Sequence, residues 1–165
     1  MKITRITTVL LLSILLMSSI SCGGPSILKP KVSYIPSGWY LENEKPYGEW
    51  PDEENGYLYY WGPGEEDGVM IRYGTIPSEL VGKEADSEAL IDWFSDDSEE
   101  TGVMTLDGEV AGYALRHYSW EGAWDRYDYT LNVVFIKNGT FIWVNATYYE
   151  GEKSEVMSLI ESVTF

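Results

Sequence analysis

Groups able to do covalent chemistry are scarce in this chain, whose 165 residues include one cysteine, Cys22, and one histidine, His117. Without a usable thiol and with one imidazole, Cys/His catalysis is excluded, and a Ser/His triad or a His-rich zinc centre is disfavoured. His117 lies in the strand-like run Tyr-Ala-Leu-Arg-His-Tyr-Ser-Trp. A lone imidazole there packs or hydrogen-bonds far more often than it catalyses. Carboxylates are plentiful, 27 Asp and Glu, so almost any fold would bring two of them together. A carboxylate-based hydrolase of the glycosidase type therefore stays open only as the least favoured class. The expectation is a protein that is not an enzyme and carries no cofactor.

Cys22 has a different chemistry available. The chain opens with Lys2 and Arg5, an apolar stretch from Val9 to Met17 and then small polar residues, the three parts of a secretory signal. The apolar stretch is short for a permanent span and has no basic flank after it, so removal is the better reading. Ser19-Ile20-Ser21-Cys22 followed by Gly23-Gly24 resembles the lipobox of prokaryotic lipoproteins. That resemblance implies a thiol alkylated by diacylglycerol, with Cys22 first in the mature chain. Acylation also explains why no second cysteine is present: a free thiol in an oxidising compartment is a liability unless occupied. The expected layout is a signal peptide over 1–21, a lipid-anchored tether over 22–36, and one globular domain over 37–165. The tether, with Pro25, Pro30 and Pro36, would reach about 45 Å if extended. The protein is expected on the extracytoplasmic side of a membrane, held by the lipid on Cys22.

Charge narrows the partners. The formal net charge is −16, and loss of Lys2 and Arg5 with the leader takes it to −18. Such a chain repels nucleic acid and anionic headgroups. Its acids gather in runs, and from Asp97 the pattern Asp-x-Glu-x-Thr-Gly places Glu99, Thr101 and Gly102 at calcium-loop positions. The final ligand position holds Gly108 instead of a bidentate Glu, so Asp97 and Glu99 are weak metal candidates and a solvated acidic loop is preferred.

Rings and acids also interleave between Trp39 and Tyr73, in the set Trp39, Tyr40, Tyr47, Trp50, Tyr57, Tyr59, Tyr60, Trp61 and Tyr73, with Asp52, Glu53 and Glu54 among the carboxylates. Flat rings beside carboxylates suit sugars, and Trp and Tyr are also hot-spot residues of protein contacts. The candidate partner surface is Trp39, Trp50, Tyr59 and Trp61 with Asp52, Glu53 and Glu54. The bland alternative is that the rings fill a core, with Tyr57, Tyr59 and Trp61 on one side of a strand and Leu58 and Tyr60 on the other.

The elements that must carry these residues start with Asn138-Gly139, a two-residue hairpin turn between apolar runs. It sets Lys137 opposite Thr140, Ile136 opposite Phe141, Phe135 opposite Ile142 and Val134 opposite Trp143. One face then carries Leu131, Val133, Phe135, Ile142 and Val144, and the other Val134, Ile136, Phe141 and Trp143. Both faces are apolar, so both need cover. A helix over Ser87 to Ser95 offers Ala89, Leu90, Trp93 and Phe94, and the last segment offers Val156, Leu159, Ile160 and Val163 before an extended Val-Thr-Phe. Further strands are expected at 39–42, 56–62, 69–75, 103–110 and 113–120. The fold class is α+β, an antiparallel β-sheet with helices packed on its faces. Sequons at Asn138 and Asn145 would matter only in a host that glycosylates exported proteins.

This order of elements, opened by Pro36-x-Gly38-Trp39 and including Leu-Asp-Gly-Glu-Val-Ala-Gly-Tyr-Ala-Leu-Arg-His-Tyr and the closing Ser-Val-Thr-Phe, resembles the PsbP/Mog1-like domains over residues 36–165. That group includes photosystem II extrinsic subunits, a Ran-binding import factor and exported prokaryotic lipoproteins. The resemblance implies an α/β/α sandwich that binds or assembles and brings no catalytic residue. The leading expectation is a lipoprotein whose domain binds a protein partner at the cell surface; the alternative is a module for a surface glycan or divalent cation. On the anchor, Cys22→Ala is expected to move the protein from the membrane fraction to the soluble fraction and abolish lipid labelling. Unchanged partition on fractionation would disprove acyl anchoring.

Overall fold

The computed structural model describes residues 26–46, 55–64, 67–95, 98–117 and 129–165. Its strands are β1 (Lys31–Val32), β2 (Tyr40–Lys45), β3 (Asn55–Trp61), β4 (Gly68–Gly74), β5 (Glu100–Leu106), β6 (Glu109–His117), β7 (Tyr129–Lys137), β8 (Thr140–Tyr148) and β9 (Val163–Thr164). Two helices, α1 (Ser87–Asp92) and α2 (Lys153–Glu161), complete the described elements together with 3-10 turns at Ser78–Leu80 and Glu150–Glu152. Strands β2 to β8 form a seven-stranded antiparallel sheet in the order β2-β3-β4-β8-β7-β6-β5, and β1 pairs with β9 apart from it.

The β7–β8 hairpin lies in the middle of this sheet with the expected register, Lys137 opposite Thr140 through Val133 opposite Val144. Asn138 and Gly139 take φ of 50° and 75°, the left-handed pair that a two-residue turn requires. Both faces are buried, as two apolar faces demand. Val133, Phe135, Ile142 and Val144 join Val156, Leu159, Ile160 and Val163 in one core. On the opposite face Val134, Ile136 and Phe141 pack with Leu80 and Leu90, flanked by Trp93, Phe94 and Trp143. The domain is thus α+β with a helix on each face of an antiparallel sheet.

Helix α1 reaches the sheet because the strand beneath it has no side chain at the contact. A Cβ on Gly112 would stand 3.0 Å from the Ile91 backbone nitrogen and 3.1 Å from Leu90 Cβ. Asp86 caps the helix by accepting from the Ala89 N–H at 3.2 Å. The helix stops at Asp92, three residues before the expected Ser95. Its last turn contains no cation to offset the macrodipole, and Trp93 leaves it to meet Phe141 edge to face at 4.9 Å.

Two further expectations are corrected. The strand expected over 103–110 is divided by a turn at Asp107-Gly108, with φ of 47° and 84°, so this segment is a second hairpin, β5–β6. An Asp-Gly pair inside a β-rich run is itself a turn signal. Lys137, beside the first turn, reaches the second: its ammonium pairs with the Asp107 carboxylate at 2.7 Å and donates to the Asp107 carbonyl. The described part of the expected tether is not free. Residues 31 and 32 pair with β9, Leu28 N–H donates to Thr140 Oγ1 at 3.0 Å, and Pro30 and Pro36 are buried. Ile27 and Val32 pack on the core, and the closing Val-Thr offers an open strand edge that β1 fills, which holds the segment down despite its prolines. Residues 26–36 therefore belong to the domain.

Where these parts meet, an acid is buried. Asp67 is fully covered; its Oδ2 accepts from Gly64 N–H at 2.8 Å, and Trp39 and Asp67 both press against Gly62. The Asp67 carboxyl lies beside that of Glu152, which accepts from Tyr149 N–H at 3.2 Å. Neighbouring carboxyls resist being charged together. Burial first, and then the adjacent Asp67 carboxyl, raise Glu152 from its ordinary 4.5 to about 7. The folded state binds the Glu152 proton more tightly than the unfolded state, so its stabilising contribution is complete below pH 4.5 and is lost as pH rises to about 7. Melting temperature measured across that window should fall more for the wild type than for Glu152→Gln. Parallel curves for the two proteins would show that Glu152 is not raised.

Candidate binding face of the sheet

On the α1 side of the sheet, no described helix covers the β2–β3 edge. The register sets in one row Tyr40, Trp61, Gly68, Thr147 and Thr130, and in the next Asn43, Tyr59, Met70, Asn145 and Asn132. Along β3 the burial alternates: Leu58 and Tyr60 enter the core, whereas Tyr57, Tyr59 and Trp61 stay half-buried on this face. Tyr59 and Trp61 meet edge to face with centroids 5.7 Å apart, and Tyr40 beside them is 52% exposed. Burial, then Glu42 and Tyr40, push the Tyr59 hydroxyl above its ordinary 10.0, so it remains a neutral phenol. Rings are the part of this face with the most contact area to give a partner.

Toward β8 the face becomes polar and ordered. Asn132 Oδ1 accepts from the Trp143 indole at 3.0 Å and from the Asn145 amide at 2.9 Å. The Arg72 guanidinium lies 5.0 Å from the centre of the Trp143 ring, close enough for a cation–π contact. Trp143 in turn meets Trp93, just past α1, edge to face at 5.7 Å. A cleft of about 710 Å³ opens there between the sheet and residues 75–81, with Arg72, Asn55, Thr75 and Ser78 among its polar lining.

Of the residues singled out from the sequence, Tyr59 and Trp61 share this face. Trp39 does not: it is 6% exposed and belongs to the core on the α2 side, where Tyr60 and Tyr73 also lie. Its alternation was legible for β3 but not for a residue lying just before a strand. Trp50, Asp52, Glu53 and Glu54, together with Cys22 and Asp97, lie outside the described residues. Glu99 is exposed ahead of β5, and among the described residues no group of three His, Cys, Asp or Glu could hold a metal ion. His117 is exposed at the end of β6 and tilts against Tyr129 at 4.8 Å. Asn138 stands exposed in its turn, whereas the Asn145 amide is held by Asn132. Arg72, Asn132 and Trp143 were not foreseen as a set, although the hairpin register itself puts Asn132 opposite Asn145.

No family model matches the chain, and no curated protein matches it. Among solved structures the chain is similar to the solution structure of cyanobacterial PsbP (CyanoP) from Synechocystis sp. PCC 6803, with a TM-score of 0.46 and 12% sequence identity, over 87% of this chain and 95% of that one. No helix among the described residues is long and apolar enough to cross a membrane.

The polar half of the face depends on one acceptor. Asn132→Ala would leave the Trp143 and Asn145 donors unpaired at a half-buried site and is expected to lower stability by about 1–2 kcal/mol in denaturant titration. A midpoint equal to that of wild type would show that these donors are satisfied in another way.

Proposed function

We propose that this protein is an exported lipoprotein whose domain is a non-catalytic binding module, docking a protein partner on the open face of its sheet. The supporting observation is the ring cluster of exposed Tyr40 and half-buried Tyr59 and Trp61, continued on the same face by Arg72 and Trp143. Tyr, Trp and Arg are the residue types that dominate binding energy at protein interfaces, and a sheet presents them on a broad, flat surface. The described face gathers rings, amides, hydroxyls and an arginine, groups that recognise, without the paired carboxylates a glycosidase uses. Acylated Cys22 would hold the domain at the extracytoplasmic surface of the membrane. With 27 acids against 11 Lys and Arg, the partner surface should not be acidic.

A photo-crosslinking residue placed at Tyr40 in cells producing the lipoprotein should give one discrete protein adduct. The same residue at Ser158, exposed on α2, should give none. Adding Tyr59→Ala and Trp61→Ala should abolish the Tyr40 adduct while leaving membrane anchoring intact. Adducts of equal yield from both positions would refute docking on this face.

A further inference from the structure

An open sheet has two edge strands, and those of this sheet are built differently. At β2 the register shifts between Leu41 and Asn43, Lys45 closes the strand, and Lys29 pairs with Glu44 at 2.7 Å beside it. Bulges and lysines are the usual means of keeping a foreign strand off an edge. The opposite edge, β5, has neither. It follows β6 from Glu100 to Leu106 without a shift, and its sequence Glu-Thr-Gly-Val-Met-Thr-Leu contains no lysine and no proline. No described strand pairs with its outer side, and Val103 is 53% exposed.

The Asp107-Gly108 turn decides which backbone groups of β5 face outward. In a two-residue hairpin the residues flanking the turn, here Leu106 and Glu109, exchange both hydrogen bonds, and the exchange recurs at every second residue. Met104, Gly102 and Glu100 therefore bond inward to β6, whereas the N–H and C=O of Thr101, Val103 and Thr105 point off the sheet. Those outward positions read Thr-x-Val-x-Thr, the same in either direction. An antiparallel copy turned about a twofold axis at Val103 sets Val103 against Val103 and each Thr101 against the other copy's Thr105. In that register every outward donor meets an outward acceptor, the self-complementarity that a twofold interface demands.

We propose that β5 pairs with β5 of a second copy of this chain about that axis, joining two sheets into one. On the α1 side, where Val103 stands opposite Gly112, the two exposed valines cover each other between threonines, a favourable cross-strand set. On the α2 side, β5 borders a groove of about 300 Å³ lined by Met104, Tyr113, Leu115 and Met157. The Tyr113 ring lies over Gly102, where a Cβ would come within 2.6 Å of it. Gly102 falls opposite Met104 of the second copy, which sets each thioether beside a Tyr113 ring. Charge does not oppose this register. Glu100, the one charged residue of β5, falls opposite Leu106, and the two Glu100 stand about 20 Å apart along the seam, beyond a Debye length at physiological salt. The aromatic docking face lies at the other edge of the sheet and stays free, so neither surface depends on the other.

In cells producing the full chain, mild oxidation should link Val103→Cys chains into a covalent dimer, since hydrogen-bonded neighbours stand about 5.5 Å apart at Cα, within disulfide reach. Wild type, whose one cysteine is Cys22, gives the background yield, and Leu41→Cys on the β2 edge should not exceed it. Thr101→Cys should link to a differently tagged Thr105→Cys chain about 10-fold more than to itself, because only the first pair stands within disulfide reach. Adding Thr101→Pro to Val103→Cys should return the yield to background without lowering the melting temperature, because an outward N–H is one that an edge strand can lose. A photo-crosslinking residue at Val103 should capture a second copy. Self-pairing is overturned by a background yield from Val103→Cys, by an equal yield from Leu41→Cys, or by links that survive Thr101→Pro. It is equally overturned by Thr101→Cys linking to itself as readily as to Thr105→Cys, or by capture of a different protein at Val103.

Discussion

A strand pair that is apolar on both faces cannot lie at a surface, and the architecture follows from that constraint. In the β7–β8 hairpin, Val133, Phe135, Ile142 and Val144 point one way and Val134, Ile136 and Phe141 the other, and all seven are buried. Burying such side chains contributes about 1.5–3 kcal/mol each relative to exposure, so covering only one face would forgo nearly half of that gain. The hairpin therefore occupies the centre of the sheet, with strands on both edges and a helix against each face.

The helices are too small for the sheet they cover, and this mismatch creates both openings. Seven strands span about 29 Å at their usual spacing, whereas a packed helix is about 10–12 Å wide. Helix α1 sits on β6 with β5 and β7 beside it, so among the described residues its face is open toward β2 and β3. Helix α2 sits over β8, and residues 26–39 fill in beside it over the β2–β4 part of that face, so the second opening falls at β5 and β6. The aromatic face and the small groove are thus diagonal counterparts across one sheet. They differ in chemistry because one is a broad plane of strand side chains and the other a trough under a helix edge.

The junction of Trp39, the Gly62–Asp67 turn and Glu152 ties the remaining segments together. It joins the entry to β2, the β3–β4 connection and the turn before α2 where the buried Asp67 lies beside the half-buried Glu152. Burial and the neighbouring Asp67 carboxyl disfavour charge on Glu152, so the joint responds to pH.

By itself the sequence determined whatever depends on neighbours along the chain. Asn138-Gly139 dictated a turn, the turn dictated the register, and the period of two dictated which side chains share a face; the same logic placed Val156, Leu159 and Ile160 on the buried side of α2. Alternation also sorted Leu58 and Tyr60 from Tyr57, Tyr59 and Trp61. What depends on distant segments was not legible. Whether Trp39 is a surface ring or a core ring turns on its contact with Gly62 and Asp67, which no local pattern encodes. Whether a proline-rich segment is a tether or a strand turns on the open edge of β9, more than a hundred residues away in the chain. Arg72 and Trp143 come together only because β4 pairs with β8 across a crossover. Local stereochemistry chose the pieces; the competition among them for a limited area of apolar cover decided which surfaces stayed open.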